Sequence, residues 1–178
     1  MRLRHLSLQF SIWFVLPILV LYKFGFSILT ALLLPAAVVT LPLLISDIKS
    51  KLLPNRLIYP AIILTVLVII VFSLWQKDLS KFGQPVGRAL LLSGVAFVLY
   101  IFSKGNLGAG DVKLYFLLGL DLGVFTVAHI VMSTLITLVS VIVVTLALLI
   151  SRRANVKTKI AFGPYILLGC WSTIFLFG

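Results

Sequence analysis

The chain has 178 residues, 62% of them hydrophobic, with a mean hydropathy of +1.25 and a net charge of +11. Soluble domains are roughly half apolar, so this composition excludes a water-soluble globule and points to a lipid bilayer. The positive charge does not mark a nucleic-acid binder, because the Lys and Arg residues stand in short segments between apolar runs, not on a continuous basic face.

Met1-Arg2-Leu3-Arg4-His5 opens the chain, and no small-x-small cleavage site follows before Lys23. A retained first span at Leu8–Tyr22 is therefore expected in place of a cleaved signal peptide. Further spans are expected at Phe26–Ile45, Leu57–Trp75, Arg88–Phe102, Val112–Leu122, Phe125–Ile150 and Ile160–Phe177. A helix needs about 20 residues to cross the hydrocarbon core, and continuous apolar runs without alternation favour helices over barrel strands. The expected fold class is all-α, a polytopic integral membrane bundle of about six to seven transmembrane helices, forming one membrane-embedded domain over residues 1–178. Between Asp111 and Ser151 a single very long helix is the alternative. Asp121-Leu122-Gly123 places a polar residue and a helix breaker where a turn would fall, which favours two passes with the first short.

Charge supplies the expected orientation. Arg2, Arg4, Lys49, Lys51, Arg56, Lys104, Lys113, Arg152, Arg153, Lys157 and Lys159 fall on one face, against Lys23, Lys77, Lys81 and Arg88 on the other. An excess of Lys and Arg marks the cytoplasmic side, so the N-terminus is expected inside and the C-terminus outside. One long helix after Asp111 would send the basic stretch Ser151–Lys159 outward, so charge and parity agree on two passes.

Acid chemistry has few candidates: the chain has no glutamate and four aspartates, Asp47, Asp78, Asp111 and Asp121. Asp78 lies between Lys77 and Lys81 in an external segment, where water and neighbouring charge account for it. Asp121 follows Asp111 by ten residues, about 15 Å along a helix, and is expected to be a turn or interfacial residue. Asp47 closes the second span and Asp111 opens the fifth, so both are expected at the cytoplasmic face. Two carboxyls brought together in a partly dry site share one proton, and one form activates water while the other donates to a carbonyl oxygen. That is the requirement for hydrolysing a peptide bond without a covalent intermediate. On position alone, two unrelated interfacial aspartates answered by Lys49 or Lys113 remain an equal alternative. The lone Cys170 rules out paired Cys-x-x-Cys zinc sites and a disulfide within the chain; it reads as a packing residue, and no metal or cofactor is expected. His129, in an apolar helix near Ser133, Thr134 and Thr137, reads as an interhelical hydrogen-bond donor.

Flanking residues separate those alternatives. Gly108-Ala109-Gly110-Asp111-Val112-Lys113-Leu114 fits Gly-x-Gly-Asp-x-Lys-Leu, and Asp47 is followed seven residues later by Pro54-Asn55. With Phe162-Gly163-Pro164 at the start of the last span, these segments, in this order, resemble the type IV prepilin peptidase family from roughly Leu43 to the C-terminus. The resemblance implies a membrane aspartic endopeptidase of the cell membrane with Asp47 and Asp111 as catalytic pair. Gly108, Gly110, Lys113, Pro54, Asn55, Gly163 and Pro164 would be substrate-binding or site-shaping residues. The implied partners are pilin-, pseudopilin- or flagellin-like precursors of type IV pilus or secretion systems, cut on the cytoplasmic side between a basic leader and a hydrophobic helix.

The glycines would let the backbone approach the substrate or adopt positive φ, Pro54 would stiffen the entry to the third span, and Lys113 would hold one aspartate ionised or meet substrate. Each also fits a plain loop, cap or topology role. The common bacterial form of the family carries two Cys-x-x-Cys pairs in a cytoplasmic methyltransferase domain. Those are not found here, so peptidase activity without methylation is expected. A presenilin or signal-peptide-peptidase type of protease also carries Gly-x-Gly-Asp, but pairs it with Tyr-Asp and Pro-Ala-Leu, whereas Ser46 precedes Asp47 here. A transporter subunit would need a carboxylate near mid-membrane, and a non-catalytic assembly factor would not need both aspartates.

Overall fold

The computed structural model describes residues 13–102, 107–152 and 161–178. Within them the chain forms seven helices: α1 (Val15–Phe24), α2 (Ile28–Ser50), α3 (Asn55–Gln76), α4 (Ser80–Phe102), α5 (Ala109–Gly123), α6 (Val127–Ile150) and α7 (Gly163–Phe177). There is no strand among the described residues. The chain is an all-α, multi-pass membrane bundle: α2, α3, α4 and α6 are each long and apolar enough to cross a bilayer, while α1, α5 and α7 are shorter. The expected turn after Asp121 is present, since α5 stops at Gly123 and α6 restarts at Val127.

Several boundaries move. α4 begins at Ser80, eight residues before the expected Arg88, because the Asp78 carboxylate accepts from the Ser80 backbone N–H at 2.9 Å and from its hydroxyl at 2.6 Å and so starts the helix earlier. Asp78 is partly exposed, and the Ser80 hydroxyl and backbone N–H, with a smaller contribution from Lys81, hold its carboxyl below the usual range. α2 runs five residues past Ile45, which puts Asp47 inside its last turns and not beyond them. The expected spans Leu8–Tyr22 and Ile160–Phe177 begin outside the described residues. So do Arg2, Arg4, Lys104, Arg153, Lys157 and Lys159 of the charge count.

α5 is the central element. From Leu114 to Gly123 only Phe116 escapes full burial, and a helix apolar on all sides is one packed on all sides. α4 lies closest to it: a Cβ on Gly119 would stand 2.8 Å from Ala89 Cα, and one on Gly123 2.8 Å from Pro85 Cα. Small residues at such crossings let backbones approach where no aqueous hydrophobic effect drives association. α2, α3, α6 and α7 complete the contacts around it. Some polar groups in the interior find partners within the bundle: Trp171 Nε1 donates to Thr40 Oγ1 at 2.9 Å, tying α7 to α2, and Thr40 Oγ1 donates to Ala36 O at 2.7 Å. Cys170 is buried, as its packing role requires.

The helices alternate in direction, so the bundle has two chemically different ends. At one, cations and a histidine close helix C-termini. Arg88 Nη1 donates to Gly123 O and Phe125 O, both at 2.7 Å, and Lys23 Nζ donates to Ile174 O at 2.9 Å and Phe175 O at 2.8 Å. His129 Nε2 meets Phe177 O at 3.1 Å; the carbonyl only accepts, so His129 is the interhelical donor, with Thr126 Oγ1 on its Nδ1 at 2.8 Å. At the other end α2 finishes and α3, α5 and α7 begin, and there Asp47, Pro54-Asn55, Gly108–Asp111 and Gly163-Pro164 collect.

Asp121 departs from expectation. It is not a turn or interfacial residue: it lies within α5, 0% exposed, and neither carboxyl oxygen has a hydrogen-bond partner. The helix continues past it to Gly123 while α7 covers that turn, bringing Cys170 into its neighbourhood.

Candidate active site

Asp47 sits in the last turns of α2, 4% exposed. Its Oδ2 accepts the Gly163 N–H at 2.9 Å across 116 residues of sequence. Gly163 is the first residue of α7 and Pro164 follows it, so the donor is one of the backbone N–H groups a helix N-terminus leaves free. The partial positive charge of that terminus faces the carboxylate. The contact leaves no room for a side chain: a Cβ on Gly163 would stand 2.7 Å from Asp47 Oδ2.

Asp111 is the third residue of α5, 6% exposed, and its Oδ2 accepts from the backbone N–H of Gly108, the residue that caps the helix, at 2.9 Å. This is the backward half of a capping box. A Cβ on Gly110 would stand 2.8 Å from Leu53 Cβ, so that glycine lets the start of α5 press against the loop that joins α2 to α3. Lys51 closes α2 in the left-handed conformation at φ 54°, and Ser46 Oγ donates to Leu52 O at 2.8 Å, folding that loop back onto the helix. Pro54 then caps α3 in an extended conformation.

These anchors bring the two carboxyls, 64 positions apart in sequence, within direct electrostatic reach of one another. Asn55 and Lys113 form a second pair at the same end: Lys113 Nζ donates to Asn55 Oδ1 at 2.9 Å and lies 5.1 Å from the centre of the Tyr59 ring. Lys113 is thus a brace between α3 and α5. Every candidate residue, Asp47, Pro54, Asn55, Gly108, Gly110, Asp111, Lys113, Gly163 and Pro164, comes to one end of the bundle. Among the described residues no cluster of three or more His, Cys or Asp side chains could hold a metal.

Tyr115 was not singled out in the sequence, yet it belongs to the site. It stands four residues after Asp111, the spacing that puts two side chains on one helical face, and is close enough to feel the Asp111 charge. Its hydroxyl neighbours that of Thr137 on α6, which donates to Ser133 O at 2.8 Å.

Residues 32–150 match the type IV leader peptidase family. A prepilin leader peptidase/N-methyltransferase of Pseudomonas putida is 29% identical over 163 residues, covering 90% of this chain and 54% of the relative. The chain therefore spans about half the length of that relative. No solved structure matches it.

Proposed function

The chain belongs to the type IV leader peptidase family, and from that premise we propose that it is an aspartic endopeptidase that removes the basic leader from prepilin-like precursors at the cytoplasmic face of the membrane, with Asp47 and Asp111 as its catalytic pair. The observation that carries the proposal is that two carboxyls from distant helices come to one end of the bundle, each with one oxygen held by a backbone N–H. In the working state the pair shares a proton: the ionised member takes a proton from water as it attacks the scissile carbonyl, and the protonated member donates to the carbonyl oxygen. The roles exchange as the tetrahedral intermediate collapses, and no covalent enzyme adduct forms.

The substrate class rests on the relative's activity and on the family. A junction between a basic leader and an apolar helix would lie at the membrane surface, and the basic excess of this end, including Lys49, Lys51, Arg56 and Arg152, supports its placement on the cytoplasmic side. The proposal covers proteolysis alone, since the 178 residues hold one cysteine and no Cys-x-x-Cys pair. Asp121 is the buried carboxyl a transporter reading would need, but its α5 neighbours Leu117, Leu118, Leu120 and Leu122 are buried and apolar and supply no polar relay.

Co-expression with a prepilin precursor tests the reading. The wild-type chain is expected to produce mature pilin, and Asp47→Asn and Asp111→Asn, inserted at normal levels, are expected to produce none. Conversion by either variant defeats the paired-aspartate mechanism. Mass spectrometry of the product is expected to show an unmethylated N-terminus.

A further inference from the structure

An apolar groove of about 590 Å³ runs down the lipid-facing side of the bundle between α4 and α6, with α5 as its floor. Leu92, Val95 and Leu99 form one wall, Thr134 and Leu138 the other, and Tyr115 lies at the base. Leu99 and Leu138 are 56% and 45% exposed, so the groove is open along its length. Its upper rim is continuous with the site: Leu107 precedes the Gly108 that holds Asp111, Phe162 precedes the Gly163 that holds Asp47, and Tyr115 neighbours Asp111.

We infer that this groove receives the hydrophobic helix that follows the scissile bond of the precursor, laying it against α4, α5 and α6 so that the bond itself arrives between the two aspartates. The inference rests on the proposed peptidase function and adds where the substrate docks. Length favours a helix as occupant: the α4 wall runs from Leu92 to Phe102, ten helical steps or about 15 Å, close to three helical turns. Chemistry agrees: apart from Thr134 and Tyr115 its lining is apolar, so it offers an apolar segment packing without demanding polar partners. The groove also has a direction, since only its upper end reaches the carboxyls. A precursor helix cut just before its N-terminal end therefore lies in the groove with that end at the carboxyls.

Cysteine cross-linking in membranes tests the docking. A precursor with a single cysteine two turns after its cleavage site is paired with enzyme carrying Leu99→Cys or Leu138→Cys, or Phe97→Cys on the opposite, equally exposed face of α4. The buried Cys170 serves as an internal negative control. Cross-links at Leu99 and Leu138 but not at Phe97 are expected. In parallel, Val95→Trp, which obstructs the groove, is expected to raise KM for the precursor at least tenfold, while Phe97→Trp leaves it unchanged. Cleavage by the wild type with cross-links equal on both faces, or with no effect of Val95→Trp, overturns the groove alone. No cleavage by the wild type overturns the peptidase function and the docking together.

Discussion

Gly163 brings its N–H to Asp47 at a point where no other residue fits, because the first atom of any side chain would lie 2.7 Å from the acceptor oxygen. Gly163→Ala is therefore expected to push the carboxyl out of place while leaving α7 intact. A displacement near 1 Å costs about 100-fold in rate, read as kcat for precursor cleavage with little change in expression. Gly108→Ala is expected to be milder, since its Cβ would meet Asp111 Oδ2 at 3.3 Å. A rate unchanged by Gly163→Ala would mean that the hydrogen bond does not position Asp47. The sequence marked Gly163 only through a resemblance, because the partner that makes it a glycine lies 116 residues away. Asp121 shows the opposite failure. Its separation from Asp111 was legible, but its burial depends on α7 covering that turn of α5, and no local pattern around Asp121-Leu122-Gly123 reports that cover.

Among the elements, α5 was the hardest to place in the sequence and is the most constrained in the fold. Its apolar run is short, and a helix apolar on every side has no face to betray which neighbours it meets. Its beginning was legible from Gly108–Asp111 and its end from Gly123, so its length was readable although its central position was not. Its C-terminus depends on one side chain, the Arg88 guanidinium bonded to the carbonyls of Gly123 and Phe125. Arg88→Met keeps the apolar stem and removes both bonds. The expected loss of stability is about 1.5 to 3 kcal/mol, measured as a lower unfolding midpoint in detergent, whereas Lys77→Met, outside this cap, is expected to change little. In the sequence Arg88 marked the start of a span. That reading failed because Ser80, Pro85 and the Asp78 cap extend the helix into a stretch that looks like a polar loop.

At the scale of the whole molecule, the number of helices and their alternation followed from apolar run lengths and Gly punctuation, because in lipid the backbone has so few alternatives. Sidedness is open to direct test. Cysteines placed at Ser50 and Arg152 are expected to react with a membrane-impermeant maleimide only when the cytoplasmic face is accessible, and cysteines at Lys77 and Ser80 only from the opposite side. The reverse pattern would put the aspartates on the wrong side for a cytoplasmic leader. The short helices have a further consequence, for hydration. α5 and α7 have 15 residues each and reach about 22 Å, some 8 Å less than a hydrocarbon core of about 30 Å. The helices around them are longer: α2, α3, α4 and α6 have 23, 22, 23 and 24 residues and reach about 33 to 36 Å. A helix shorter than the ring that encloses it leaves a recess inside the bundle and not a dent in the bilayer, and water held in such a recess is the water that hydrolysis would consume.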